Sequence, residues 1–377
     1  MPGHHYDSQQ KMGGVLCEKL FRMASDHGIY SDSFLVTELD RSYFWSSDHT
    51  GVIGYIRIGK HFKVVGGVLA PPDGQAELLT SFMEFIKGQR GTVAFINVGE
   101  NALHLFEAAK FSVTKWGEEA ILDLPDRTWR GKKFERMRQQ VNHCRSHGLV
   151  ASEIKTGPVG DSETARLHAE LHEVANLAIG RKPQSSGTRA FQALLAPERA
   201  TGQRIFCARS DGGKGRIEAF IVCFPGKGGM LWSTEIYRFR PDCIRNALVF
   251  LIHEAAESLK AEGASHLTVG FIPGLRCNES RKGEAMLIRR GILFVWNHLG
   301  FVMDLKGLFA FKKRFRPRYE NRYVCAWPGN SLCIGSIIAF VRLWGGGELH
   351  PLRVSKVFFR QAFLVRRERK SLVKDNG

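Results

Sequence analysis

Hydrophobic residues recur along this chain in two alternating rhythms, short runs with the period of a strand and longer stripes with the period of a helix. In the first part, strands are expected at Phe34–Leu39, Val52–Ile58, Lys63–Leu69, Thr92–Val98 and Ala120–Leu124. Between them, Leu78, Leu79, Phe82, Phe85 and Ile86 make an apolar stripe that predicts a helix over Gln75–Lys87, and Ala102–Ala109 reads as a shorter one. Strands alternating with helices argue for an α/β (α+β) fold, a mixed sheet flanked by helices. A long helix is expected over Trp129–His147, stopped by Gly148, with the domain boundary just after it.

The theme then repeats: helix Ser162–Ile179, a polar loop Gly180–Gly187, strands Ile205–Ala208, Arg216–Phe224 and Met230–Thr234, helix Asp242–Glu262, strand Leu267–Gly270 and helix Ala285–His298. Residues 1–148 and 149–328 therefore look like two domains of one plan, although no internal sequence repeat is strong enough to establish duplication. Residues 329–377 form a basic tail beyond the Gly345–Gly347 hinge. There Val354, Val357, Phe358, Ala362 and Val365 gather opposite Lys356, Arg360 and Arg367 on a helical wheel. Such a helix suits an anionic membrane surface, with Lys356, Phe358 and Arg360 as contacts, and equally suits packing against the second domain.

Length and charge sharpen this picture. At 377 residues with 44% hydrophobic content, the chain can bury two cores. Lys and Arg number 54 against 37 Asp and Glu, a net charge of +17, which favours polyanionic partners such as nucleic acid or an acidic membrane face. The cysteines (Cys17, Cys144, Cys207, Cys223, Cys243, Cys277, Cys325 and Cys333) are scattered without a CxxC, as expected of free thiols in a reducing cytosol. Met1–Gln10 lacks the layout of a signal peptide. The most apolar stretch, Leu332–Val341, is roughly ten residues where a spanning helix needs about twenty. A cytoplasmic protein, peripheral on the membrane at most, is expected.

Two segments concentrate cations. Arg127–Arg145 carries seven basic residues and one acid, Glu135, and is either a phosphate-contacting surface or a solvated helix face. Lys312–Tyr323 interleaves six cations with aromatics, a composition that suits nucleic acid but also an edge strand with basic outward positions. Ser233, Glu235 and Arg238 sit where a strand meets a polar turn, a common place for working side chains, and Glu235 with Arg238 equally suits a structural ion pair. Walker A, GxSxG and HExxH patterns are absent.

The segments Gly117–Leu124 (GEEAILDL), Gly131–Lys133, Arg138–Gly148 (RQQVNHCRSHG), Ser233–Pro241 (STEIYRFRP), Val269–Pro273 (VGFIP) and Gly307–Tyr323 (GLFAFKKRFRPRYENRY) together resemble the C-terminal catalytic domain of the phosphatidylglycerol lysyltransferases, also called multiple peptide resistance factors, over about residues 64–328. The last segment is similar to the family's GLxxFKxKFxPxWExRY signature, with Lys312, Phe315, Pro317, Glu320, Arg322 and Tyr323 in register. Glu235 stands where that family has the Asp of a DLMR stretch, Tyr319 replaces Trp, Arg314 replaces Lys, and Val249 occupies a position often held by Asp.

The resemblance implies tandem GNAT-like acyltransferase domains sharing a tunnel, with aminoacyl-tRNA as co-substrate, an anionic phospholipid as acceptor, and neither metal nor CoA. Consistent with the last point, the (R/Q)xxGx(G/A) loop that cradles the CoA pyrophosphate is missing. It also implies roles: Glu235 for the α-ammonium, Arg238 orienting Glu235 or the carbonyl, Lys312 and Arg314 neutralising phosphate, Glu320 and Arg322 bracing them, and Lys132, Lys133, Arg136 and Arg138 contacting tRNA. A lipid product would need a separate flippase to reach the outer leaflet. The competing expectations are aminoacyl transfer to a soluble small molecule or peptide, acyl-CoA N-acetyl transfer, and non-catalytic binding of tRNA or lipid.

Overall fold

The computed structural model describes residues 3–154, 157–179, 193–199, 202–298 and 304–328. The Gly180–Gly187 loop, the Leu332–Val341 stretch and the tail bearing Lys356, Phe358 and Arg360 lie outside them. The first half runs β1 (His4–Tyr6), α1 (Gly14–His27), β2 (Ser42–Trp45), β3 (Val52–Ile58), β4 (His61–Val65), α2 (Gln75–Gly88), β5 (Thr92–Gly99), α3 (Leu103–Ala108) and β6 (Ser112–Asp123). After α4 (Glu135–Ser146), the second half runs β7 (Val150–Ile154), α5 (Ser162–Ile179), β8 (Arg204–Arg209), β9 (Ile217–Gly226), β10 (Leu231–Phe239), α6 (Ala247–Ala261), β11 (His266–Pro273), α7 (Met286–His298), α8 (Leu305–Lys313) and β12 (Arg318–Trp327).

All these strands join one sheet, ordered β1-β2-β3-β4-β5-β12-β6-β11-β10-β9-β8-β7. Adding six to β1–β5 gives β7–β11, so the two ends of that order mirror each other, with β12 and β6 exchanged between them at the centre. The senses correspond too: β4–β5 and β10–β11 are the parallel pairs, bridged by α2 and α6, and the remaining pairs are antiparallel. The doubled mixed α/β plan expected from the sequence is therefore written in the strand order. Each half gives its last strand to the other, for β12 lies against β5 and β6 against β11. The sheet thus interleaves the segments on either side of residue 148.

Both sheet faces are covered, as inward alternation along β9 requires. Phe220, Val222 and Phe224 face a core with Leu20 and Met23 of α1 and Leu171 and Val174 of α5, whereas Ala219, Ile221 and Cys223 face Val141 and Cys144 of α4 and Phe250 and Ala255 of α6. Phe82 and Ile86 of α2 and Phe106 of α3 cover the first half. Each of the buried Val, Leu, Ile, Phe and Met side chains among these contributes about 1.5–3 kcal/mol.

Several elements differ from the sequence-based expectation. Phe34–Leu39 is not a strand but a 3₁₀ turn over Ser33–Thr37. Its backbone is satisfied locally: Thr37 Oγ1 donates to the Phe34 carbonyl (2.8 Å) and Ser33 Oγ accepts from the Tyr30 N–H (3.1 Å). Strand β4 stops at Val65 because Gly66 and Gly67 turn into left-handed conformations, φ +100° and +83°. The long basic helix starts only at Glu135, where the Arg138 guanidinium donates to the carbonyls of Trp129 (2.9 Å) and Gly131 (2.8 Å) and holds the preceding segment extended from the helix. Strand β10 runs through Phe239, so Glu235 and Arg238 lie within a strand rather than at a turn. Finally, β12 is a central strand, not an edge one.

Candidate active site

A regular strand sends successive side chains to opposite faces, and a bulge re-aims them. Four bulges lie at or near the β6–β12 seam, one of them in the seam itself, where Trp116 of β6 is the extra residue between the partners of Arg322 and Tyr323. Strand β10 carries Glu235 as its extra residue, between Thr234 and Ile236. Strand β11 slips between Thr268 and Phe271, around Gly270 at φ +86°. Strand β5 slips opposite Val324, at Asn97, φ +62°.

Around them, acids and cations converge out of water. Glu119 of β6 accepts from Thr268 Oγ1 (2.8 Å) and the Ser31 N–H (3.1 Å) on one oxygen, and from Arg322 Nε (2.7 Å) on the other. Arg322 also pairs with Glu320 at 3.0 Å and lies 5.3 Å from the centre of the Tyr30 ring. Asp32, buried in the loop after α1, accepts from Asn97 Nδ2 (3.0 Å), and Asn97 accepts from Trp116 Nε1 (2.6 Å). Its second oxygen, Oδ1, is buried without a partner.

Lys312 reaches in from α8 and donates to the Phe271 carbonyl at 3.0 Å. It passes the bare Cα of Gly270, where a Cβ would stand 3.1 Å from its Nζ. Burial pushes Lys312 down to about 8, against the pull of Glu235 and Glu119. Burial, reinforced by Glu119, raises Asp32 to about 7. Burial, then the charges of Asp32 and Glu119, lifts Glu235 well above the carboxylate range, with Lys312 opposing. The cluster is thus poised to release protons when a cation enters, and its low dielectric strengthens any charge placed there.

Not every residue picked from the sequence joins this cluster. Glu235, Lys312 and Arg322 do, and Glu320 borders it through Arg322 and Arg318. Arg238 pairs in register with Phe220; its Nη1 donates to the Tyr237 carbonyl (2.9 Å), its Nε is buried without a partner, and it forms no ion pair with Glu235. Arg314 is exposed on the outer side of α8, with Asn246 Oδ1 at 3.4 Å from its Nη1, so it and Lys312 do not share a site. On α4 and the turn before it, Lys132, Lys133 and Arg136 are exposed, while Arg138 is engaged by backbone carbonyls. Lys133 and Arg136 line a cleft of about 230 Å³ with Lys313, Arg314 and Arg316.

Sequence reasoning did not single out Asp32, Asn97, Glu119 or Thr268. One signal existed: Glu118 and Glu119 stand side by side just before the apolar run Ala120–Leu122, one salt-bridged to Lys115 (2.8 Å) and Arg276 (3.0 Å), the other inside the cluster. Asp32 and Asn97 gave none, since both sit in segments whose polar residues look like ordinary loop or strand-end positions.

A doubled α/β sheet with exchanged last strands and a charged cluster at the seam defines a tandem acyltransferase-like α/β protein. More particularly, the chain belongs to the family described as phosphatidylglycerol lysyltransferase, C-terminal, whose model matches residues 21–326. It is 22% identical to the phosphatidylglycerol lysyltransferase of Bacillus subtilis (strain 168), over 84% of this chain and 36% of that protein, and 22% identical to that of Staphylococcus aureus (strain COL), over 80% and 34%. The chain therefore spans about a third of the length of these curated relatives. Its fold matches L-PGS from Bacillus licheniformis with a TM-score of 0.71 at 21% identity, covering 90% of this chain and 98% of that one. A C-terminal domain from Agrobacterium fabrum, provisionally named a lysylphosphatidylglycerol synthetase, gives a TM-score of 0.72 at 20% identity, covering 88% and 98%. Among the described residues, no helix is long and apolar enough to cross a membrane.

Proposed function

We propose that the protein transfers an aminoacyl group from aminoacyl-tRNA to phosphatidylglycerol or a related anionic lipid at the inner face of the membrane. The observation that carries this reading is the convergence of half-buried Glu235 with buried Glu119, Asp32, Lys312 and Arg322, in a chain of the phosphatidylglycerol lysyltransferase family. Acids raised by burial and left partly unsatisfied suit the α-ammonium of an aminoacyl ester, and a buried lysine beside them suits its carbonyl oxygen.

In this mechanism Glu235 and the bare oxygen of Asp32 receive the ammonium. The acceptor hydroxyl attacks the ester carbonyl, and Lys312 faces the negative charge that develops on its oxygen. The new ester forms as the bond to the ribose oxygen breaks, and the acceptor's proton ends on that ribose hydroxyl. The donor ester is already activated, so holding two large substrates in line supplies much of the rate. Glu119, Arg322 and Glu320 position the cluster, while Arg238, outside it, takes no direct part. Lys132, Lys133 and Arg136 contact the tRNA, with no metal or CoA involved. The lipid product is then a substrate for a flippase.

The test is transfer of radiolabel from a panel of charged tRNAs into chloroform-extractable lipid, with purified protein and phosphatidylglycerol vesicles. Label entering lipid, and lost in Glu235→Gln, supports the reading. Label entering only a water-soluble product of cell extract would replace the lipid acceptor with a soluble one.

A further inference from the structure

Helix α8 has two working sides. Lys312 points into the buried cluster, whereas the next two residues, Lys313 and Arg314, point outwards into a cleft of about 230 Å³. The opposite wall is built by Lys133, Arg136 and Gln140, from the turn before α4 and from α4 itself, and Arg316 closes the end. Two segments far apart in the sequence thereby place five cations around one opening.

Three observations say what it accepts. First, none of these five cations has an acidic partner among the described residues; three of them have rings or an amide as neighbours, with Lys133 5.3 Å from the centre of Phe134, Lys313 5.8 Å from Phe309, Arg314 5.9 Å from Phe311, and Asn246 beside Arg314. Five unneutralised cations repel one another unless an anion joins them.

Second, the walls are joined beforehand. Arg127 Nη1 donates to the Phe315 carbonyl (2.8 Å), Lys260 Nζ donates to the Arg127 carbonyl (2.7 Å), and Trp129 Nε1 donates to Glu257 (2.6 Å). The cleft exists without its ligand, so little ordering cost opposes binding.

Third, no aromatic side chain lines it, and none of the exposed large hydrophobic side chains lies there. It offers no aromatic platform for bases and nothing to insert between lipid chains, and its cations outnumber the single amide, Gln140, that could read a base edge.

We infer that this cleft grips the phosphate backbone of the RNA donor without reading its bases, so that RNA docking is independent of sequence. The inference rests on the proposed aminoacyl-tRNA donor and adds how that donor is held. Choice of the amino acid then falls to other parts of the protein.

Binding of the full chain to two uncharged tRNA transcripts of different sequence, measured by fluorescence anisotropy over a salt series, tests this. Five phosphate contacts predict a log–log slope of about −4, and Kd values for the two transcripts within about threefold. The Arg136→Ala/Arg316→Ala double variant should weaken both about tenfold or more and flatten the slope by about 1.5, while Arg136→Lys/Arg316→Lys keeps the slope. Unchanged Kd and slope in the alanine variant would overturn the inference. So would a variant that keeps RNA binding but no longer floats with phosphatidylglycerol vesicles, which would make the cleft a lipid surface. Groove-dependent RNA binding with no aminoacyl transfer would instead refute the proposed function and leave the cleft standing.

Discussion

Strands β5 and β11 hold equivalent places in the two halves, and each breaks its pairing around one residue of positive φ. In β5 that residue is Asn97, whose side chain fills the break and ties Asp32 to Trp116. In β11 it is Gly270, which leaves the break bare, and the Lys312 ammonium comes within 3.1 Å of where its side chain would begin. One half has made the irregularity a brace and the other has made it an opening for a cation. A repeated scaffold can thus divide support and chemistry between its copies.

The sharpest way to break this contrast is at the shared seam. Glu119→Gln leaves Arg322 buried beside a neutral amide with its main counter-charge gone, which should cost about 3–5 kcal/mol of stability, read as a lower urea midpoint. Next, Lys312→Met should reduce aminoacyl transfer about a hundredfold or more at a cost of about 1–3 kcal/mol of stability, because it removes a desolvated charge but also the donor to the Phe271 carbonyl. A fall in transfer no greater than the fall in folded protein would make Lys312 a structural residue.

Gly270→Ala and Asn97→Gly test the two breaks directly. The alanine should cost about 1–2 kcal/mol from its left-handed backbone and also lower transfer, by crowding Lys312. Asn97→Gly keeps the backbone easy but removes the brace, for about 1 kcal/mol of stability, with the smaller effect on transfer.

Asp32 also sets a pH dependence. The folded protein keeps the Asp32 proton up to about 7, whereas the unfolded chain loses it near the ordinary 3.8. The native state therefore binds more protons in that window, and this contribution to stability is lost as pH rises from 4 to 7. Asp32→Asn should flatten that decline in melting temperature; an unaltered profile would place the proton elsewhere.

Much of this molecule could be read from the chain. Apolar periodicity located α2, α5 and most of the sheet, because those elements bury a regular face. The signature around Lys312 led to the cluster, since that lysine and Arg322 are charges inside a segment that folds inwards. What escaped depends on long-range pairing. The run Phe34–Thr37 is apolar without a period, and only its burial between layers, with local hydroxyl bonds, makes it a turn. Strand β12 looked too charged for a sheet centre, yet Arg322 is tolerated there because Glu119, from more than half the chain away, meets it. Arg238 looked like the partner of Glu235, but the bulge separates their surroundings.

The exchanged last strands also govern how the molecule comes into being. The inner edge of β5 finds its partner only in β12, where Gly99 pairs with Arg322. On the ribosome, that edge must wait through synthesis of nearly the whole second half, an aggregation hazard that favours chaperone cover and slow closure. Conversely, the cluster cannot assemble on a nascent fragment, because Glu119 and Arg322 come from opposite halves of the chain.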